Sequence, residues 1–142
     1  GSYGMVSDIN DPYPVYYGAQ VVARWAKVGD IVIPTKSTDP NLSAYTVMKP
    51  NGNASMMILN KSATSTIQSK IYMTGFNPKK KVTMCSYGKW HDDVTRLGYG
   101  SVGPEESETE INPKLMLHSF PPYSMTVLEF EQVPNTGFGD QP

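Results

Sequence analysis

The hydrophobic period of this chain changes once, at Gly29. Before it, Tyr17, Val21 and Trp25 recur at i, i+4 and i+8, with Gly18, Val22 and Ala26 beside them. Tyr16, Gln20 and Arg24 form the polar side. One apolar stripe at this spacing predicts a helix over 13–27. Asp11-Pro12-Tyr13-Pro14 supplies its start, because proline is tolerated in a first turn, and Gly29 suits its C-terminal cap. After Gly29 the period is two, so the rest of the chain must build sheets.

The period-two segments are short. Residues 31–33 are stopped by Pro34, and 44–49 end at the turn signal Pro50-Asn51-Gly52-Asn53. Residues 55–60 carry the continuous run Met56-Met57-Ile58-Leu59, which suits a central strand covered on both faces. Further strands are predicted over 66–73, 81–87, 114–120 and 124–132, the last two joined through Pro121-Pro122. In the last, Thr126, Leu128 and Phe130 face one way and Val127, Glu129 and Glu131 the other. The 12 glycines and 12 prolines, falling between these runs, argue against a helical bundle. The expected fold is therefore all-β: an antiparallel β-sandwich of about seven or eight short strands, with one N-terminal helix packed against it. The chain divides into a lead-in over 1–11, of which Gly1-Ser2 reads as the scar of a cleaved expression tag, a helix over 12–29, a sandwich over 30–133 and a frayed tail over 134–142.

Charge excludes one class of partner. Twelve basic and 13 acidic residues nearly cancel in a chain of 142, so no global field draws in a polyanion, and no nucleic acid is expected as partner. No apolar run approaches the ~20 residues of a membrane span, so no membrane is expected either. Cys85 is the one cysteine, in the strand-like run Val82-Thr83-Met84-Cys85-Ser86, where burial is expected.

The chemistry-bearing residues concentrate in the polar stretch 88–110, read here as a long connection. Loops beyond about 12–15 residues in a compact domain are usually functional or disordered. Tyr87, Trp90 and Tyr99 supply aromatic faces that can stack on a pyranose, while Lys89, His91, Asp92 and Arg96 supply donors and acceptors for hydroxyls. The alternative is that Trp90 caps the core and an aspartate ties the loop to backbone N–H groups. An enzyme reading lacks support: Asp92 and Asp93 are adjacent and would point to opposite faces of a strand, and there is no Gly-x-Ser-x-Gly elbow. No Cys-x-x-Cys or His-x-x-x-His spacing suggests zinc. His118, in a strand, reads as a sheet residue. Glu105, Glu106, Glu108 and Glu110 make an acidic run of the kind calcium favours, but without the 1-3-5 spacing and turn glycine, so no cofactor and no metal is expected.

Several segments together resemble a known arrangement. Phe120-Pro121-Pro122-Tyr123-Ser124-Met125-Thr126-Val127-Leu128 resembles the closing strand of the C-terminal β-sandwich that follows the catalytic barrel in clan A glycoside hydrolases, such as family 44 endoglucanases/xyloglucanases and family 51 arabinofuranosidases. Tyr87-Gly88-Lys89-Trp90-His91-Asp92-Asp93 resembles the Tyr-Gly-x-x-x-Asp-Asp loop of the family 44 type. Leu42-Ser43-Ala44-Tyr45 and Met57-Ile58-Leu59-Asn60-Lys61-Ser62 are similar to its early strands, and the helix running into Gly29-Asp30-Ile31-Val32 is similar to the last barrel helix entering the sandwich. The resemblance implies that the catalytic glutamates lie in a ~250-residue barrel this chain is too short to contain, so no catalytic residue carries over and the chain is not itself expected to be an enzyme. It implies a non-catalytic accessory module of a secreted, extracellular bacterial hydrolase of plant polysaccharide. The partners would be a β-glucan-type polysaccharide, such as cellulose or xyloglucan, and the parent's barrel. The alternative is a purely structural sandwich that stabilises a (β/α)8 barrel, presenting the Tyr17/Val21/Trp25 stripe and part of the sheet to it. A further class, an adhesin or scaffold-interaction module, would show a large apolar patch.

Overall fold

The computed structural model describes residues 4–6, 11–98 and 102–134, with only the backbone of Thr95 and Arg96. The order is α1 (Pro14–Trp25), β1 (Ile31–Ile33), β2 (Leu42–Met48), β3 (Ala54–Asn60), β4 (Ile67–Ile71), β5 (Pro78–Gly88), α2 (Lys89–Arg96), β6 (Glu105–Glu110), β7 (Met116–Phe120) and β8 (Ser124–Gln132). Six strands form one sheet in the order β1-β2-β3-β8-β5-β6, and β4 pairs with β7 in a second sheet. Every pairing is antiparallel. The fold is the all-β sandwich expected, with eight strands and one main helix.

The large sheet is covered on both sides. On its inner face Met56, Ile58, Val82, Leu128 and Phe130 pack against Ile71, Met116 and Phe120 of the small sheet. On its outer face Met57, Cys85, Tyr87 and Val127 lie beneath Tyr17 and Val21 of α1. This double cover explains the unbroken apolar run of β3, which pairs with β2 and β8 in the sheet interior. It also corrects one expectation: Tyr17 and Val21 are buried against the chain's own sandwich and are not open to a separate barrel.

α1 is shorter than the 13–27 predicted. Tyr13 and Ala26 are both extended, at φ −86° and −137°, and bracket the helix. Gly29, at φ 96°, turns the chain after the helix instead of capping it, and Asp30 N–H bonds Lys27 C=O there. The cap at this end is a side chain. Lys49 Nζ donates to Trp25 C=O at 2.8 Å and pairs with Asp30 at 2.6 Å, placing a cation where the helix dipole is negative. Arg24 fastens α1 to the sheet, its Nη2 and Nε bonding both carboxylate oxygens of Glu129 at 2.7 and 3.3 Å while Nη1 reaches Glu106.

The polar stretch 88–110 is not one long connection. It holds α2 and the edge strand β6. The glutamates of β6 are spread along the edge: Glu106 meets Arg24, Glu108 pairs with Lys81, and Glu105 stands 3.8 Å from His91. Among the described residues, no three His, Cys, Asp or Glu side chains gather in a group that could hold a metal ion. No described helix is long and apolar enough to cross a membrane.

Candidate functional site

The candidate site sits where β5 runs straight into α2. Gly88 is the junction, and its backbone lies so close to the β7–β8 turn that a Cβ there would stand 2.7 Å from Tyr123 C=O and 2.9 Å from Ser124 Cα. Gly88 is also the N-cap of α2. Its N–H donates to His91 Nδ1 at 3.1 Å, so the third helical residue reaches back to the cap as a glutamate does in a capping box. Accepting that bond leaves the imidazole proton on Nε2, toward Glu105. Burial of the ring pushes its pKa down, against the opposing pull of Glu105.

A stack of rings leads from the core to the surface here. Tyr17 contacts Tyr87 at 5.3 Å between ring centroids, Tyr87 stacks on His91 at 5.1 Å and 24°, and Trp90 meets His91 edge-on at 5.1 Å and 84°. Only the last ring is open: Trp90 is 62% exposed, while Tyr87 and His91 are 8% and 6% exposed. Tyr87 therefore does not offer a face to solvent, contrary to the platform role expected for it. It occupies an outer-face position of β5 that α1 covers, and it backs His91, the ring on which Trp90 stands.

The other expected residues separate likewise. Lys89 and Asp93 form an i,i+4 ion pair along α2. Asp92, part-buried in the first turn, lines an open cleft with Lys89. Asp92 and Asp93 are about 100° apart around a helix, so the strand geometry assumed for them does not apply. Arg96 ends α2, and its side chain lies outside the described residues, as does Tyr99 altogether.

Two clefts flank the junction and share Tyr87, Gly88, Lys89 and Ser124 as walls. The smaller, about 150 Å³, holds Trp90, His91 and Glu105. The larger, about 640 Å³, runs from Pro14 and Gly18 of α1 past Lys61 and Asp92 to Tyr123. Tyr123, outside the residues the sequence singles out, lines this larger cleft. It is 54% exposed, on the β7–β8 turn, with φ at +43°. In the sequence it shows only as an aromatic after Pro121-Pro122, within the closing-strand motif.

No protein-family model and no curated protein sequence matches the chain. Solved structures do match in fold. A bifunctional glucanase-xylanase from a metagenome library is similar over 86% of this chain and 23% of its own, with TM-score 0.68 and 15% identity. A glycoside hydrolase family 30 subfamily 8 xylanase from Clostridium acetobutylicum is similar over 92% and 31%, with TM-score 0.72 and 13% identity. A family 44 xyloglucanase from Paenibacillus polymyxa is similar over 72% and 19%, with TM-score 0.58 and 14% identity. The chain spans between about a fifth and a third of the length of these glycoside hydrolases, and the likeness it shares with them is one of fold.

Proposed function

We propose that the chain is a non-catalytic accessory domain of a secreted glycoside hydrolase acting on plant polysaccharide, and that it holds a β-glucan-type chain against Trp90. The exposure of Trp90 carries this reading: a 62% exposed indole leans by one edge on a buried ring and caps no core. Large aromatics left open at the mouth of a cleft gain by stacking on an apolar sugar face. Lys89 and Glu105 line the same cleft as Trp90, as donor and acceptor for hydroxyls, and Asp92 lines the neighbouring one. Affinity electrophoresis in hydroxyethylcellulose, xyloglucan and xylan tests it. Wild type should be retarded by a β-glucan, and Trp90→Ala should migrate as in a glycan-free gel with its melting temperature unchanged. A wild-type chain retarded by none of the three contradicts the reading.

A second reading rests on a different surface. Val28, Ile31 and Val32, with Tyr45 beside them on the neighbouring strand, leave apolar area open at the β1 edge of the large sheet. A structural domain that packs on a catalytic barrel would bury such an edge, and Ile31→Lys would then weaken docking while leaving glycan retardation as it was.

A further inference from the structure

We infer that the cleft at Tyr123 is a second sugar subsite, adjoining Trp90, and that a neutral glucan chain spans the two across the Gly88–Lys89 ridge. This rests on the binding reading above and adds to it a residue and a second cleft. The first observation is backbone conformation. Tyr123 is the one described non-glycine residue at positive φ, a state that costs an L-residue roughly 1–2 kcal/mol. Strain of this kind persists only where surroundings over-determine it, and it clusters at ligand sites.

The surroundings do over-determine it. Tyr123 N–H donates to Ser62 C=O at 2.9 Å, and Lys89 N–H donates to Tyr123 C=O at 2.9 Å. Asn60 Nδ2 holds the Phe120 and Pro121 carbonyls, each at 2.9 Å, and Ser124 Oγ donates to Pro121 C=O at 2.7 Å. Three segments thus lock the turn, yet the ring it carries stays half in solvent. A buried ring would explain such a scaffold by packing; an exposed ring is presented by it.

The second observation is the cleft itself. Its volume of about 640 Å³ falls within the roughly 300–1,000 Å³ of small-ligand sites. Its charged walls are Lys61 and Lys89 against Asp92 and Asp93, so it offers donors and acceptors without net charge. That suits hydroxyls and disfavours a uronate or phosphate. Because this cleft and that of Trp90 share Tyr87, Gly88, Lys89 and Ser124 as walls, one glucan chain can engage both rings.

Isothermal titration with cellohexaose tests the inference. Tyr123→Gly should weaken binding about tenfold, the scale of one lost aromatic contact, while Tyr123→Phe stays within about twofold of wild type. Glycine accepts φ +43° at no steric cost, so loss in this variant reports the ring and not the backbone. Wild-type affinity in Tyr123→Gly, alongside loss in Trp90→Ala, overturns the second subsite and leaves the Trp90 reading intact. Absence of cellohexaose binding to wild type removes both. Should Tyr123→Gly not fold, the ring resonances of Tyr123 in wild type decide: they shift with cellohexaose if the inference holds, and unmoved signals overturn it.

Discussion

Adding one methyl group at either of two glycines should move stability in opposite directions. At Gly88 a Cβ would meet Tyr123 C=O at 2.7 Å and both Cα and Cβ of Ser124 at 2.9 Å, where ordinary contact begins near 3.4 Å. Two of these atoms are backbone in a turn locked by five hydrogen bonds, so they cannot rotate away. Relief needs a shift of about half an ångström between β5 and the turn, and overpacking of this sort costs about 1–3 kcal/mol. Gly88→Ala should therefore lower the melting temperature by roughly 4–12 °C, at about 4 °C per kcal/mol for a domain this size. At Gly18, inside α1, a Cβ meets nothing within 4 Å. There alanine improves helix propensity, and Gly18→Ala should add about 0.5–1 kcal/mol. Urea unfolding followed by circular dichroism reads both, with equal m-values if only the native state has changed. A Gly88→Ala variant with the wild-type midpoint, or one that rises with Gly18→Ala, refutes the close approach on which the whole site is built.

Burial holds the imidazoles of His91 and His118 below the ordinary histidine range. Below pH about 6.5 the unfolded chain therefore binds more protons than the folded one, and stability falls as pH drops through the lowered folded values. Urea midpoints should decline from pH 7 to pH 5, and a flat profile contradicts the neutral, buried assignment. Arg24→Lys keeps the charge but loses the two-pronged bond to Glu129, and should cost about 0.5–1 kcal/mol in urea unfolding, less in 1 M salt. Phe120→Ala removes one of the two wholly buried phenylalanine rings between the sheets and should cost about 3–5 kcal/mol, read as a fall in melting temperature.

Strand positions that alternate are legible because a pleat puts every second side chain on one face. Thr126, Leu128 and Phe130 fall on the inner face and Val127 on the outer, as the pattern of β8 requires. What alternation does not carry is which face has a lid. Tyr87 shares the outer face with Cys85, and its ring looks eligible for solvent until α1 is laid over it. The elements of 88–110 were hidden for a related reason. α2 runs for only eight residues with two apolar side chains, Trp90 and Val94, too few to register a period. β6 pairs on one side only and lies almost wholly in solvent, so its glutamates display no apolar alternation and serve to keep a free edge from pairing.

Tyr123 marks the limit of a different kind. Nothing in Pro121-Pro122-Tyr123-Ser124 requires a left-handed tyrosine, and asparagine or glycine would take that conformation at less cost. The requirement comes from a distance in space, since the turn must deliver its carbonyl to Lys89 N–H over a glycine 35 positions earlier in the chain. The hydrogen bonds that hold the turn offset the backbone cost, while the ring itself, 54% exposed, adds little by burial. In the proposed reading, the open ring of Tyr123 and that of Trp90 across the shared wall would together hold a glucan at this end of the sandwich and not at the β1 edge.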